Sequence, residues 1–143
     1  MPANEKYLEM IQSVISRMAQ NSFSLKGWSV TLVSAVFSLG AKDTNVKIGL
    51  VAYIPAVVFW ALDGYYLWQE RRYRVLYERA RLADAADAST FSMNPQPAVE
   101  HVQDPFRKFK LRYVAALISR TEAGFYGPLL VAMTLIGLLL RSF

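Results

Sequence analysis

The 143-residue chain has no cysteine and only one histidine, His101. The absence of cysteine excludes disulfides, thiolate metal sites and cysteine nucleophiles. One histidine cannot supply a multi-histidine metal site. The sequence also lacks a glycine-rich phosphate loop, carboxylates paired for acid–base chemistry and a Ser-His-Asp set. We therefore expect a protein that is not an enzyme and that binds no cofactor.

Charged residues are concentrated in blocks that separate three apolar runs, at residues 23–41, 48–68 and 123–140. Such segregation is typical of membrane helices, because a lipid-facing helix needs no polar face. The run at 48–68 corresponds to about 31 Å of helix, which matches the hydrocarbon core of a bilayer. The fold class predicted from these runs is an all-α integral membrane protein with three spans.

The distribution of basic residues predicts how the chain is oriented. Ten of the sixteen Lys and Arg residues lie between positions 70 and 122. The positive-inside rule places that segment in the cytoplasm. The link at 42–47 is short, so the first two spans form a helical hairpin and the N-terminus is also cytoplasmic. The C-terminus is then expected outside.

The predicted spans and their orientation divide the chain into four regions. They are a cytoplasmic amphipathic helix at 1–22, a transmembrane hairpin at 23–69, a basic cytoplasmic helical segment at 70–122 with a Pro-rich connector at 89–105, and a third span with a short outer tail at 123–143. In the first region Tyr7, Ile11, Val14 and Met18 recur at helical spacing. This stripe predicts a helix that lies in the membrane interface or packs on a partner subunit.

The cytoplasmic segment contains further helix signals. No helix breaker follows the second span before Ser89, so its helix is expected to continue beyond the membrane. Asp104 followed by Pro105 predicts a helix start. The helix that follows carries four apolar residues on one face: Phe106, Phe109, Tyr113 and Leu117. Pro128, next to Gly127, predicts a kink or break before the third span.

Small residues recur along one face of the first span. This small-residue seam consists of Gly27, Thr31, Ser34, Ser38 and Ala41. One interpretation is close packing against the second span, since small residues let helix backbones approach each other in lipid. The other is a hydroxyl-lined pore wall in a symmetric oligomer.

Asp63 is the one acidic residue inside a predicted span. Ionisable groups in a membrane are costly and usually have a partner. Antiparallel pairing of the first two spans brings Lys26 to a similar depth, so we predict a Lys26–Asp63 ion pair. A ring of Asp63 side chains at a pore mouth is the alternative.

The cytoplasmic cations are candidates for binding anions. They are Arg71, Arg72, Arg74, Arg79, Arg81, Arg107, Lys108, Lys110 and Arg112, with Arg120 closest to the third span. Such residues fix topology and contact anionic lipid. Interleaved aromatic residues also suit a nucleotide or oligonucleotide ligand, because bases stack on aromatic rings while cations hold phosphates.

The run from Lys6 to Ala35, KYLEMIQSVISRMAQNSFSLKGWSVTLVSA, resembles the signature of the RipA-type oligomeric inner-membrane proteins of bacteria. The resemblance covers the first half of the chain and implies a bacterial inner membrane and homo-oligomeric assembly. In size, helical organisation and basic cytoplasmic parts, the chain is also similar to channel-forming effectors of antiphage systems such as Hailong.

Together these features predict a homo-oligomeric, channel-like inner-membrane protein. On this hypothesis it serves in antiphage defence and opens when its cytoplasmic helices bind an anionic nucleotide or oligonucleotide. The alternative is a non-conducting scaffold that organises lipid or partner proteins.

Overall fold

The computed structural model describes residues 3–40, 51–82 and 91–142. These ranges contain helices and connecting turns, with no strand, so the predicted all-helical class is confirmed. The helices are α1 (Ala3–Gly40), α2 (Tyr53–Leu82), α3 (Gln96–Glu100), α4 (Pro105–Lys110), α5 (Tyr113–Leu117) and α6 (Arg120–Ser142).

Two helical segments of the described chain are long and apolar enough to cross a membrane. They are Glu5–Gly40 in α1 and Arg120–Leu139 in α6. Large apolar side chains of both, including Trp28, Leu39 and Leu138, are exposed to the surroundings of the protein. Length and composition thus indicate membrane association. The start of the predicted span at 48–68 lies outside the described residues, and its remainder belongs to α2.

Helices α1 and α2 form the body of the fold and run antiparallel. Two apolar clusters join them. One, near the start of α2, consists of Val33, Ala52 and Ala56 with Met133 of α6. The other, near the end of α2, buries Ile11 of α1 against Leu76 of α2 and Ala98 of α3. The hairpin therefore has an apolar contact at each end.

The predicted boundary between an amphipathic helix at 1–22 and a separate span does not appear as a break. Helix α1 is continuous over 38 residues, about 57 Å at 1.5 Å per residue. The stripe that contains Tyr7 and Ile11 packs on the end of α2 rather than on a membrane surface or a partner subunit. The sequence analysis did not predict this contact of Tyr7 and Ile11 within the chain, and a role of the stripe at a membrane surface or a partner subunit stays a prediction.

Helix α2 continues past the predicted span to Leu82, as expected from the lack of a breaker. Pro55 is accommodated because it lies in the first turn, where a backbone N–H has no partner within the helix. Gly64 lets α5 approach α2 closely, since a Cβ atom there would lie 2.5 Å from Leu117 Cδ2.

The short helices are attached to α2 through side chains that donate to backbone carbonyls. Trp60 Nε1 donates to Leu117 O at 3.1 Å, and Trp68 Nε1 donates to Leu111 O at 2.7 Å. Tyr113 donates its hydroxyl hydrogen to Ala61 O at 2.8 Å. These bonds hold the α4–α5 segment beside the middle of α2.

The predicted helix start at Asp104 and Pro105 is confirmed. The Asp104 carboxylate accepts a hydrogen bond from Phe106 N at 2.9 Å, which caps α4. The single helix expected from there is divided into α4 and α5 at residues 111–112. No break occurs near Pro128, because α6 runs continuously through that residue from Arg120 to Ser142. A kink at Pro128 stays a prediction.

We predict that Ile11→Ala lowers the free energy of unfolding by about 2–4 kcal/mol, because it leaves a cavity between α1 and α2. Met10→Ala is the matched control, since Met10 is exposed on the neighbouring position. Denaturant unfolding in detergent measures both. Equal effects of the two substitutions would contradict the packing of α1 on α2.

Candidate functional site

Three charged side chains meet where α1, α2 and α6 come together. Lys26 of α1 donates from Nζ to the Asp63 carboxylate of α2 and, at 3.0 Å, to Glu122 Oε1 of α6. The side chains of Asp63 and Glu122 are 0% and 1% exposed, and that of Lys26 is 19% exposed. We call these three residues the buried charge cluster.

Neutral side chains complete the environment of Asp63. Ser22 donates its hydroxyl hydrogen to Asp63 Oδ1, and Tyr126 donates to Oδ2 at 3.3 Å. With Lys26, this carboxylate accepts from donors on both neighbouring helices. Such bonds offset much of the cost of burying a charge. Asp63 faces the interior of the chain, so a ring of Asp63 side chains at a pore mouth does not describe this conformation.

The structure brings together Lys26 and Asp63, the two residues that the sequence predicts as a pair. Sequence reasoning missed Glu122. Its only signal was an acidic residue immediately before an apolar run, in the first turn of α6. Glu122 Oε2 is buried and has no hydrogen-bond partner among the described residues.

The described part of the small-residue seam does not pack on α2. Gly27, Thr31, Ser34 and Ser38 are exposed, and Ala41 lies outside the described residues. The seam is roughly 150° around α1 from the face that meets α2, at 100° per residue. Packing against the second span was therefore the wrong interpretation, because Ser29 and Val33 occupy that contact.

Large apolar side chains border the seam on both sides. Phe23 and Val30 lie along one edge, and Trp28, Leu32 and Leu39 lie along the other, all of them exposed. A Cβ atom built on Gly27 would meet nothing within 4 Å. The outer face of α1 is therefore a shallow groove of small residues between apolar ridges.

Most of the cations between residues 70 and 122 bind groups within the chain. Arg71 donates to Lys110 O and Ala115 O, and Arg72 donates to Gln96 and stacks on Trp68. The other internal contacts are Arg74 to Glu70, Arg79 to Pro97 O, Arg107 to Glu78, and Lys110 over the Phe106 ring. Of these cations, Arg71, Arg72, Arg79 and Arg107 connect α2 to the segments that follow it.

Burial lowers the pKa of Arg71 from its ordinary value, while the Glu70 and Glu122 carboxylates act in the opposite direction. An arginine remains charged across the physiological pH range even so. Arg71 is therefore a half-buried cation whose guanidinium is engaged by backbone carbonyls of its own chain.

The side chains of three predicted anion-binding cations form no hydrogen bond or ion pair with described residues: Arg81, Lys108 and Arg112. Lys108 and Arg112 lie in or beside α4, whose Phe106 and Phe109 are 65% and 47% exposed. Cations and exposed aromatic rings therefore share one surface at α4. In the described ranges, no three His, Asp or Glu residues form a group that could hold a metal ion.

We predict that Lys26→Met destabilises the protein by about 3–5 kcal/mol, because two buried carboxylates lose their shared cation. Lys6→Met, at an exposed position of the same helix, is the control. Thermal unfolding in detergent measures the difference. A Lys26→Met protein as stable as the control would show that the cluster does not hold the helices together.

No family model, curated protein or solved structure matches this chain.

Proposed function

We propose that this chain is one subunit of a homo-oligomeric, channel-like protein of the bacterial inner membrane. In this arrangement the N-terminus and residues 70–122 are cytoplasmic, α1, α2 and α6 each contribute a span, and the C-terminus is outside. The observation that carries the proposal is the exposed small-residue seam on the outer face of α1.

The position of the seam supports assembly through α1. Its spacing includes two small-xxx-small pairs, Gly27 with Thr31 and Ser34 with Ser38, a pattern that favours close helix approach in membranes. The inner face of α1 is already covered by α2 and α6. The outer groove is thus available to the same helix of a neighbouring subunit.

The chemistry of the seam supports a water-filled path beside that contact. A helix face that met only lipid would not need hydroxyl groups. Three of the four described seam residues, Thr31, Ser34 and Ser38, nevertheless carry one. A ring of α1 helices that turns Ser34 and Ser38 inward would line a narrow pore with hydroxyls. Assembly and pore lining then use the same face of α1.

The surface around α4 is the site that we propose for gating by an anionic ligand. Lys108, Lys110 and Arg112 lie there beside two exposed phenylalanine rings. This combination suits a nucleotide or oligonucleotide. Because α5 is bonded to α2 and leads directly to α6, a ligand that moves α4 would act on two spans.

A non-conducting scaffold is the second candidate, and one observation favours it. The Thr31 hydroxyl donates to Gly27 O of its own helix at 2.9 Å, so it needs no water. A helix face satisfied in this way also suits dry packing between subunits. Ion flux through liposomes that contain the purified protein separates a channel from a scaffold.

We predict a three-span topology, which labelling of introduced cysteines tests, since the chain has no cysteine of its own. Cysteines at Lys6 and Gln103 should react from the cytoplasmic side, and a cysteine at Ser142 from the outside. If α2 does not cross and only α1 and α6 do, positions 6 and 142 will instead share one side, opposite to position 103.

We also predict that Ser34→Leu disrupts the oligomer or blocks flux. Added bulk in the seam prevents close helix approach if Ser34 lies between subunits, and it fills the path if Ser34 faces a pore. Ala35→Leu is the matched control, because Ala35 is exposed beside Leu32 and Leu39 on the apolar side of the helix. Size-exclusion chromatography and liposome flux report the two effects.

Each result for Ser34→Leu identifies an arrangement. Loss of the oligomer indicates packing, whereas an intact oligomer without flux indicates a pore wall. An intact oligomer with the flux of the Ala35→Leu control would mean that the seam faces lipid, where leucine is well accommodated, and would contradict the proposal.

A further inference from the structure

The buried charge cluster contains more negative than positive charge. When all three groups are ionised, Lys26 contributes one positive charge, while Asp63 and Glu122 contribute two negative charges. Both carboxyl groups are fully buried, and an uncompensated charge in such a site costs several kcal/mol. The cluster therefore needs one more positive charge, or one fewer negative charge.

The surroundings supply no second cation in contact with Glu122. The Arg71 guanidinium of α2 donates to backbone carbonyls at residues 110 and 115 and forms no ion pair with Glu122. The other facing groups are Ser22 of α1, which donates to Asp63, and Tyr126 of α6, which does the same. None of them donates to Glu122 Oε2.

The two carboxyl groups differ in the number of hydrogen bonds that they accept. Asp63 accepts from Ser22, Lys26 and Tyr126, so both of its oxygens have a donor. Glu122 accepts one bond, from Lys26, and its second oxygen is buried without a partner. Asp63 and Glu122 both lie against the Lys26 ammonium group, which brings their two carboxyl groups close to each other. A bond between two carboxyl groups requires a proton on one of them.

We propose that the cluster is a proton-binding site, in which Glu122 holds a proton on Oε2 and donates it to the ionised Asp63 carboxylate. One proton then removes the excess negative charge and satisfies the orphaned oxygen. It also completes the contact of α6 with the α1–α2 hairpin. This inference goes beyond channel function, since it holds whether or not the protein conducts.

A proton fits the site better than a metal cation. Lys26 Nζ already lies against both carboxylates, where a metal ion would have to bind. The described residues offer no third acidic or histidine side chain to complete a metal site. A proton needs only the two oxygens that are present.

The proposal fixes how stability depends on pH. In the unfolded chain Glu122 would release its proton near pH 4.3, the ordinary value for glutamate. The folded state then binds more protons than the unfolded state above that pH, so stability falls as pH rises. Loss of the proton leaves two carboxylates against one ammonium and weakens the attachment of α6.

Two isosteric variants test the site in purified full-length protein. Glu122→Gln copies the protonated acid, because its amide donates where the carboxyl O–H would. We expect its Tm at pH 7 to stay within about 3 °C of the wild-type value and not to show the wild-type fall as pH rises. Asp63→Asn removes the charged acceptor, and we expect its Tm to fall by about 10 °C or more.

Infrared difference spectroscopy observes the proton directly. The wild-type spectrum should contain the C=O stretch of a buried protonated carboxyl group, and Glu122→Gln should remove it. Absence of that band in the wild type would overturn the proposal. It would also be overturned if Glu122→Gln lost as much stability as Asp63→Asn, or if sodium in place of choline raised the wild-type Tm but not that of Glu122→Gln. These readouts do not depend on ion flux, so failure here is distinguishable from failure of the channel proposal.

Discussion

The ammonium group of Lys26, buried between the carboxyl groups of Asp63 and Glu122, determines how the three longest helices meet. Each of these helices contributes one charged residue to a site in which both carboxyl groups are buried. A shift of α1 along α2, or a rotation of α6, would leave at least one of those charges buried without a partner. Such a state costs several kcal/mol, which is a large part of the stability of a small domain. The cluster therefore acts mainly by excluding alternative arrangements of the helices.

The two apolar clusters of the hairpin depend on that alignment. With Lys26 opposite Asp63, Val33 meets Ala56 on one side and Ile11 meets Leu76 on the other. The inner face of α1 therefore packs against other helices of its own chain. What remains is the outer face, with its groove of small residues. The division of α1 into an intramolecular face and an unoccupied face is the structural basis for proposing assembly through the seam.

Local sequence patterns predicted some of these features well and others poorly. The helical class, the extension of α2 and the start of α4 followed from apolar runs, missing breakers and the Asp104–Pro105 cap. Lys26 and Asp63 were paired correctly because antiparallel spans restrict which residues share a depth. The surface that the Tyr7–Met18 stripe packs against could not be predicted, because the spacing shows that a helix face is apolar but not what covers that face.

The same limit explains the remaining errors. Seam residues are small whether they meet α2, a second subunit or water, so their spacing alone could not distinguish these partners. Glu122 was missed because its role depends on α6 folding back onto the hairpin, a long-range contact between residues 26 and 122. The cations between residues 70 and 122 were predicted to be available for ligands, yet most bind carbonyls, carboxylates or rings of the same chain, which sequence spacing does not show.

The central claim is that the functional unit contains several copies of this chain, assembled through the outer face of α1. Native mass spectrometry of the full-length protein, released from detergent micelles, tests this claim most directly. The account predicts a single dominant species whose mass is an integer multiple, greater than one, of the 16.2 kDa chain. A dominant species of 16.2 kDa, under conditions in which the helical fold is retained, would contradict it.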